Sequence, residues 1–335
     1  MKYWVRILIF IFAAALFVSC QKEKSVKVGL LLHALDKERW ESDRDFFIQK
    51  VEELGGTVLF EEAGNNADSQ LKQAQKLLES GVNALVVVPV DQFAAGKIVE
   101  EAHSKSVPVI SYDRLILNCK LDYYVSTDNV EIGELQASYL TAIKPAGNFA
   151  LIGGARSDHN SQFLYLGHMN GLSPLIERGD IKIILNTFTD RWESDEGYTI
   201  TSDLLKNTKE KPDAIIAGND AIAMGVIRAL KEYKLDGEVL LAGMDADLLN
   251  LQEIVKGTQT CTVYKPIAKM ASTAAEIAFR LGSGLEYEKT FQTISNGEKL
   301  VPSFLFNGVI VNKNNLKLTV VSEGYQKEED IFKRQ

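Results

Sequence analysis

Short apolar runs of strand length alternate along the chain with longer segments whose apolar residues recur at helical spacing. KVGLLL (27–32) reads as a buried strand, and Glu38 to Leu54 follows as a helix carrying Trp40, Phe46, Phe47 and Val51 on one face, stopped by Gly55-Gly56. TVLFEEA (57–63), a helix from Asp68 to Gly81, and ALVVVPV (84–90) repeat the unit. The last run is uninterrupted in hydrophobicity, as a central parallel strand covered on both faces should be. A helix from Ala94 to Ser104, then PVISYD (108–113) and YYVSTD (123–128), complete a first series. The second series runs through a helix Val130–Ile143, NFALIGG (148–154), a helix Gln162–Glu177, IKIILNTF (181–188) and a helix Glu193–Leu205. DAIIAGND (213–220), a helix Ala221–Tyr233, EVLLAGMD (238–245) and a helix Leu248–Val255 continue it. TQTCTVYKP (258–266) then leads through Pro266 into an amphipathic helix, Ile267–Leu281, and the tail offers VIV (309–311) and LTVV (318–321) as short strands. Units of roughly 25 to 30 residues are the size of βα repeats. About ten parallel strands exceed one comfortable sheet. The pattern therefore predicts an α/β protein of two similar lobes, each a parallel sheet with helices on both faces. No Pro/Gly/Ser-rich linker separates the series, so the crossings between lobes should be short and several.

The first twenty residues are a different material. Lys2 and Arg6 precede an apolar run from Ile7 to Val18 that is short for a transmembrane helix. It ends at Ser19-Cys20, and a small residue followed by Cys after such a run resembles a bacterial lipobox, in which the cysteine is lipidated. Phe17 stands where that motif usually has Leu, and a plain signal anchor is the alternative. On this reading residues 1–20 are a lipoprotein signal with lipidated Cys20, and residues 21–25 are a polar tether.

Apolar content of 46% and a net charge of −8 fit a globular chain with a sizeable core. The acidic balance argues against nucleic acid as a partner. Beyond Cys20 there are only Cys119 and Cys261, which either pair or stay as two separate buried thiols. No cysteine–histidine cluster has metal spacing, and no cofactor is expected. There is no nucleophile elbow, P-loop, dinucleotide fingerprint or zinc-protease helix, so the sequence does not read as an enzyme.

Candidate chemistry gathers just past the strands, where ligands bind in open α/β sheets. The first strand leads to Lys37, Glu38, Arg39 and Trp40, and the fourth to Asp113 and Arg114. NFALIGG leads to Asp158, His159 and Asn160, and IKIILNTF to Asp190, Arg191 and Trp192. The last three give Asn219 with Asp220, Asp245 with Asp247, and Lys265. Asp accepts from hydroxyls, Arg and Lys donate, Asn does both, and an indole can stack on a sugar ring. A neutral polyhydroxylated ligand suits this set better than phosphate, which calls for more cations and glycine-rich nests. Any one polar strand end has a plainer explanation in contact with water. His33 and His159 lie near strand ends and could touch ligand, but both read better as solvated or satisfied imidazoles.

ERWESDRD (38–45), PVISYDR (108–114), STDN (126–129), GGARSDHN (153–160), GNDA (218–221), GMDAD (243–247), GTQTCTVYKP (257–266) and VPSFLFNGVIVNKNN (301–315) resemble the D-xylose-binding family of ABC sugar importers. YDRLI (112–116) and DRW (190–192) are also similar to segments of broad-specificity aldose-binding proteins. The resemblance implies the type I periplasmic-binding-protein fold: two Rossmann-like lobes, three hinge crossovers, and ligand in the cleft. It places an N-terminal lobe at 26–128 and 266–297 and a C-terminal lobe at 129–265 and 298–335, with crossings near 127–130, 263–266 and 293–300. Carried over by position, Arg39, Asp113 and Arg114 bind sugar from the first lobe. Asn160, Trp192, Asn219 and Asp245 do so from the second, and Lys265 sits at the hinge. Trp40 is either a ligand neighbour or the first core residue of its helix. Asp220 and Asp247 read better as helix N-caps. Met244 and His159 depart from the family's usual Gln and Asn, and the family carries Asp-type residues near His33. The implied function is a monomeric, lipid-anchored periplasmic protein that delivers D-xylose or a related aldose to an ABC permease. A sensor subunit for a membrane histidine kinase is the alternative.

Overall fold

The alternating pattern folds into two open sheets, each sandwiched between helices. The computed structural model describes residues 25–287 and 292–333; the expected signal segment, Cys20 and nearly all of the 21–25 tether lie outside them. Among the described residues the first sheet has seven strands in the order β11 (Thr293–Ser295), β12 (Leu300–Phe306), β5 (Tyr123–Thr127), β4 (Val109–Tyr112), β3 (Ala84–Val87), β1 (Lys27–Leu32), β2 (Thr57–Glu62). The second has six: β13 (Val309–Val311), β10 (Cys261–Tyr264), β9 (Leu240–Met244), β8 (Ala214–Ala217), β6 (Gly147–Gly153), β7 (Ile181–Phe188). All pairings are parallel except β11–β12 and β10–β13.

Helices cover both faces of each sheet. On one face of the first sheet, α1 (Glu38–Glu53) and α9 (Ile267–Gly282) bury Trp40, Phe47, Val51, Met270 and Ala274 against Leu30, Val86 and Ile110. On the other, α2 (Ala67–Glu79) and α3 (Gly96–Ser104) pack Leu77 and Ile98 against Leu31, Leu85 and Val109. In the second lobe, α6 (Ser194–Asn207) and α7 (Asp220–Glu232) cover one face, and α4 (Asn129–Ile143) and α5 (His159–Glu177) the other. Glycine brings α4 and α5 unusually close: a Cβ at Gly167 would stand 2.0 Å from the Val130 carbonyl. Cys119 and Cys261 are both buried and free, one in each lobe.

The chain passes between lobes after β5, again at Lys265–Pro266 between β10 and α9, and finally between β12 and β13. The last passage corrects the expectation of a crossing at 293–300 and of 298–335 lying wholly in the second lobe. Residues 300–306 pair in parallel with β5 in the first sheet, Ser303 opposite Tyr124 and Phe306 opposite Thr127. Pro302 concealed this strand, because proline cannot donate to a ladder and reads as a break. LTVV (318–321) is not a strand either. Leu316–Leu318 forms a 3₁₀ turn that buries Leu316 and Val320 but leaves Leu318 80% exposed.

A buried polar network ties α4 to the carboxyl ends of the second sheet. Gln136 Nε2 donates to the carbonyls of Ala217 (3.1 Å) and Gly243 (2.8 Å), and its Oε1 lies 2.7 Å from His168 Nε2, which must donate. Burial pushes the pKa of His168 down to about 3, whereas an imidazole in the unfolded chain titrates near ~6.5. The unfolded state therefore takes up the proton first, so His168 supports the fold fully above that value and loses its contribution as the pH falls. The loss amounts to about 2 kcal/mol by pH ~5. Urea unfolding at pH 7 and pH 5 tests this: His168→Gln should lose about 2 kcal/mol less than the parent protein over that interval.

Candidate ligand-binding cleft

The carboxyl ends of the two sheets face each other across a cavity of about 450 Å³. All nine ligand residues expected from the sequence line it: Arg39, Trp40, Asp113, Arg114, Asn160, Trp192, Asn219, Asp245 and Lys265. Arg39 and Trp40 come from the first turn of α1, and Asp113 and Arg114 from the end of β4. Asn160 lies in the first turn of α5, Trp192 beyond β7, Asn219 ahead of α7, and Asp245 beyond β9. Lys265 belongs to the crossing itself.

At the floor, two cations and two carboxylates alternate. Arg39 Nη1 lies 2.9 Å from Asp113 Oδ2 and 3.6 Å from Asp245 Oδ1, and Lys265 Nζ lies 3.7 and 3.4 Å from the same two oxygens. Behind them Arg39 Nε bonds Asp43 Oδ2 at 3.1 Å, and the Tyr112 hydroxyl donates a short hydrogen bond to the other oxygen of Asp43. Burial by itself would raise the pKa of Asp113, but Arg39, then Lys265 and Arg114, outweigh it and hold the carboxyl well below its usual range. Burial likewise opposes the charge on Arg39, and Asp113, Asp43 and Asp245 together overcome it. Arg39 Nη2 remains buried with no hydrogen-bond partner among the described residues.

Both floor aspartates occupy left-handed backbone, with φ of +59° at Asp113 and +104° at Asp245. Such conformations cost an L-residue about 1–3 kcal/mol and persist only where surrounding bonds fix them. Here the Asp113 carbonyl accepts from Tyr124 Oη and Ser126 Oγ, both at 2.8 Å, and from Asn160 Nδ2 at 3.2 Å. The Asp245 amide donates to Val263 O at 2.9 Å. The turns aim both carboxylates out of their strands and into the cavity.

The two tryptophans differ. Trp40 is 4% exposed, packs in the first lobe's core, and has the Arg39 guanidinium 4.2 Å over its ring, so it is both core and wall. Trp192 is only half-buried and rests on bare backbone: a Cβ at Gly154 would fall 2.1 Å from its ring.

The lobes are closed on each other. Arg114 Nε pairs with Asp158 Oδ2 at 3.1 Å, while Asp158 Oδ1 caps α5 through the Asn160 amide at 3.0 Å. Asn160 Nδ2 also reaches Asp113 Oδ1 at 3.2 Å, and Lys37 Nζ meets Glu193 at 2.8 Å. Glu38 accepts from the Leu248 amide at 3.1 Å at the start of α8 (Leu248–Lys256).

Several wall residues escaped the strand-end reading. Asn65 follows β2, and Pro89 and Gln92 follow β3; the same rule applied to those two strands finds them. Asp43, behind the wall, was legible as the i+4 partner of Arg39 on α1. His33 was read as satisfied or solvated in preference to a ligand neighbour; it is 2% exposed, lies on the wall, and its Nδ1 has no hydrogen-bond partner among the described residues. His159 is not on the wall; its ring stands edge-on to Phe163 at 4.4 Å. The cap of α7 is Asn219, whose Oδ1 accepts from Ile222 N at 3.0 Å, and not Asp220. Asp220 is buried one position later, where it accepts from Gln259, Thr262 and the Asp247 amide. Asp247 occupies the cap position of α8 without a side-chain cap bond. Burial, with Asp245 and Glu38 nearby, pushes its carboxyl up to about 7.

The wall carries five cations (Lys37, Arg39, Arg114, Arg191, Lys265) against six carboxylates (Asp36, Asp113, Asp158, Asp190, Glu193, Asp245). Among the described residues no group of His, Cys, Asp and Glu could hold a metal ion. The cleft is therefore rich in hydrogen-bonding groups yet nearly balanced in charge.

Residues 28–286 match the model of the periplasmic binding protein domain. The chain is 41% identical over 308 residues to the D-xylose-binding periplasmic protein of Escherichia coli, covering 92% of this chain and 93% of that one. It is 38% identical over 332 residues to the protein of that name from Haemophilus influenzae, covering 99% and 100%. A carbohydrate transporter solute-binding protein from Chloroflexus aurantiacus, solved with D-glucose, superposes with a TM-score of 0.84 at 26% identity over 92% of this chain and 98% of that one. Two parallel-sheet lobes, a cleft at their carboxyl ends and full-length similarity agree: the chain belongs to the periplasmic binding protein family, as a non-enzymatic sugar-binding member with the type I fold.

Proposed function

We propose that this protein captures D-xylose in the interlobe cleft and delivers it to the permease of an ABC importer. The near balance of charge on a wall dense in donors and acceptors carries the reading, because it favours a neutral polyol over an anion or a cation. Similarity to two D-xylose-binding proteins along nearly the whole chain supports xylose among aldoses. Asp113 and Asp245 accept from sugar hydroxyls, while Arg39, Arg114 and Lys265 donate to them. Asn160 and Asn219 donate through their amides, and Trp192 lies against the apolar face of the ring, with Trp40 forming the wall behind. The apolar leader ending at Cys20 supports a lipid anchor in the cell envelope, from which a monomer reaches a permease in the inner membrane.

Ligand that binds only the folded state stabilises it by mass action, about 2.7 kcal/mol at a hundredfold over Kd. In a thermal-shift panel of aldoses, D-xylose should give the largest rise in midpoint. Equal shifts from hexoses would point to a broad-specificity protein, and no response to any pentose or hexose would sink the sugar reading.

Two variants test the assigned roles. Asp113→Ala should abolish the xylose response and also cost about 3 kcal/mol in denaturant unfolding, since it leaves Arg39 and Lys265 short of a buried partner. Full stability in that variant would show that the floor charges are not mutually dependent. Trp192→Ala should weaken xylose about tenfold, the order expected for one aromatic contact. Titration calorimetry reads this directly, and unchanged affinity would remove the indole from the site.

A further inference from the structure

We propose that closure of the lobes, and with it capture of the sugar, takes up a proton at Asp247, a carboxylate in the seam between the lobes, beside the cavity and off its wall. The inference rests on the sugar-binding reading above and adds to it a dependence on pH. Neither Asp247 nor its neighbour across the seam, Glu38, lines the cavity.

The seam is built from one carboxylate of each lobe. Glu38 opens α1 in the first lobe, and the second lobe holds both its oxygens: Oε2 accepts from the Leu248 amide at 3.1 Å and Oε1 from Gln326 Nε2 at 2.7 Å. Glu38 thereby caps α8 from the opposite lobe, because Asp247, at the helix's own cap position, makes no side-chain cap bond. Phe46, further along α1, packs against the apolar cluster of Leu251, Tyr264 and Tyr325. Asp247 Oδ1 is buried with no hydrogen-bond partner among the described residues. So is the hydroxyl of Tyr325, which faces the same carboxylates from the carboxyl-terminal segment.

Charge in this seam does not balance. Asp247 meets Asp245 from the end of β9, Glu38 from α1, and Asp220 from the start of α7, whose Oδ2 accepts from the Asp247 amide at 3.0 Å. The cations that face it are Arg39 and Lys37, and both are committed elsewhere: Arg39 to Asp43 and Asp113, Lys37 to Glu193. Carboxylates crowded into a buried site do not all ionise, and the one without a counterion of its own keeps the proton. Burial, then Asp245 and Glu38, accordingly raise the Asp247 carboxyl to about 7. Parting the lobes takes Glu38 away and admits water, which returns the group toward the ordinary ~3.9 of an aspartate. Asp220, by contrast, keeps its bonds from Gln259 and Thr262 within the second lobe whichever way the lobes stand. The closed form therefore binds the Asp247 proton more tightly than the open form. Closure has that gain in full below the open-form value and loses it as the pH rises through about 7.

Titration calorimetry of the protein with D-xylose between pH 6 and pH 8 tests this. Affinity should be about tenfold tighter at pH 6 than at pH 8. At pH 6, heats measured in phosphate and in bis-tris, whose ionisation enthalpies differ, should report uptake of about one proton per sugar bound. Asp247→Asn, an uncharged isostere, should bind at pH 8 as tightly as the parent does at pH 6, with a flat profile and no uptake. Glu38→Gln removes the charge across the seam and should move the parent's profile to lower pH; it carries the test if the asparagine variant does not fold. A flat parent profile without proton uptake overturns the proposal, and so does the parent's pH dependence surviving in Asp247→Asn. A Glu38→Gln profile that coincides with the parent's also overturns it, since the proton would then be indifferent to the other lobe. Failure of the parent to bind any aldose at either pH would fell the sugar reading itself, a result distinct from xylose bound equally well throughout.

Discussion

Arg39 is the charge around which the cleft is organised. Removing a guanidinium from water costs several kcal/mol unless carboxylates and hydrogen bonds replace the lost solvation. Here Asp43 and Asp113 supply two sides from the first lobe, and Asp245 supplies a third from the second. Lys265, at a crossing, then balances the two floor aspartates. The carboxylates around this one side chain are assembled only with both lobes in place. Hinge closure in a two-lobe protein is therefore coupled to the hydrogen-bonding capacity of the cavity floor.

That constraint explains features that are otherwise costly. Asp113 and Asp245 both adopt left-handed backbone at the ends of strands, where extended geometry would direct their side chains to a face of the sheet. Each turn is held by bonds from neighbouring strands: Tyr124 and Ser126 for Asp113, Val263 for Asp245. Asp158 shows a related economy. One of its oxygens caps α5 while the other meets Arg114, so the carboxylate that bridges the lobes is already positioned by its own helix. Little side-chain freedom remains to be lost there when the jaws meet.

Much of this was legible in the sequence because the governing patterns are local. ALVVVPV reads as a central strand since both faces must be apolar, and the polar residues after each strand mark one edge of each sheet. What escaped was non-local or ambiguous at single-residue scale. Residues 300–306 look broken by Pro302, and only their pairing with β5 makes them a strand. LTVV has strand composition, but Leu318 faces solvent and the segment turns instead. Asn219 and Asp220 are both good caps, and the choice depends on Gln259 and Thr262, which hold Asp220 inside. Trp40 could not be divided between core and wall because it serves as both.

The late strand β12 bears on how the molecule comes into being. The first sheet is nearly built by residue 127, yet the neighbour that covers the outer edge of β5 arrives only with residues 300–306. Until then β5, whose residues 124–127 are buried in the finished protein, presents unpaired backbone to any strand it meets. The second lobe is spelled out almost entirely in between. A chain made from its amino end therefore carries β5 without its outer neighbour until late, and α9, which covers one face of the same sheet, also follows the second lobe in sequence. An edge left open for so much of the sequence is a place where a foreign strand can add, and closing it falls to a segment near the carboxyl end.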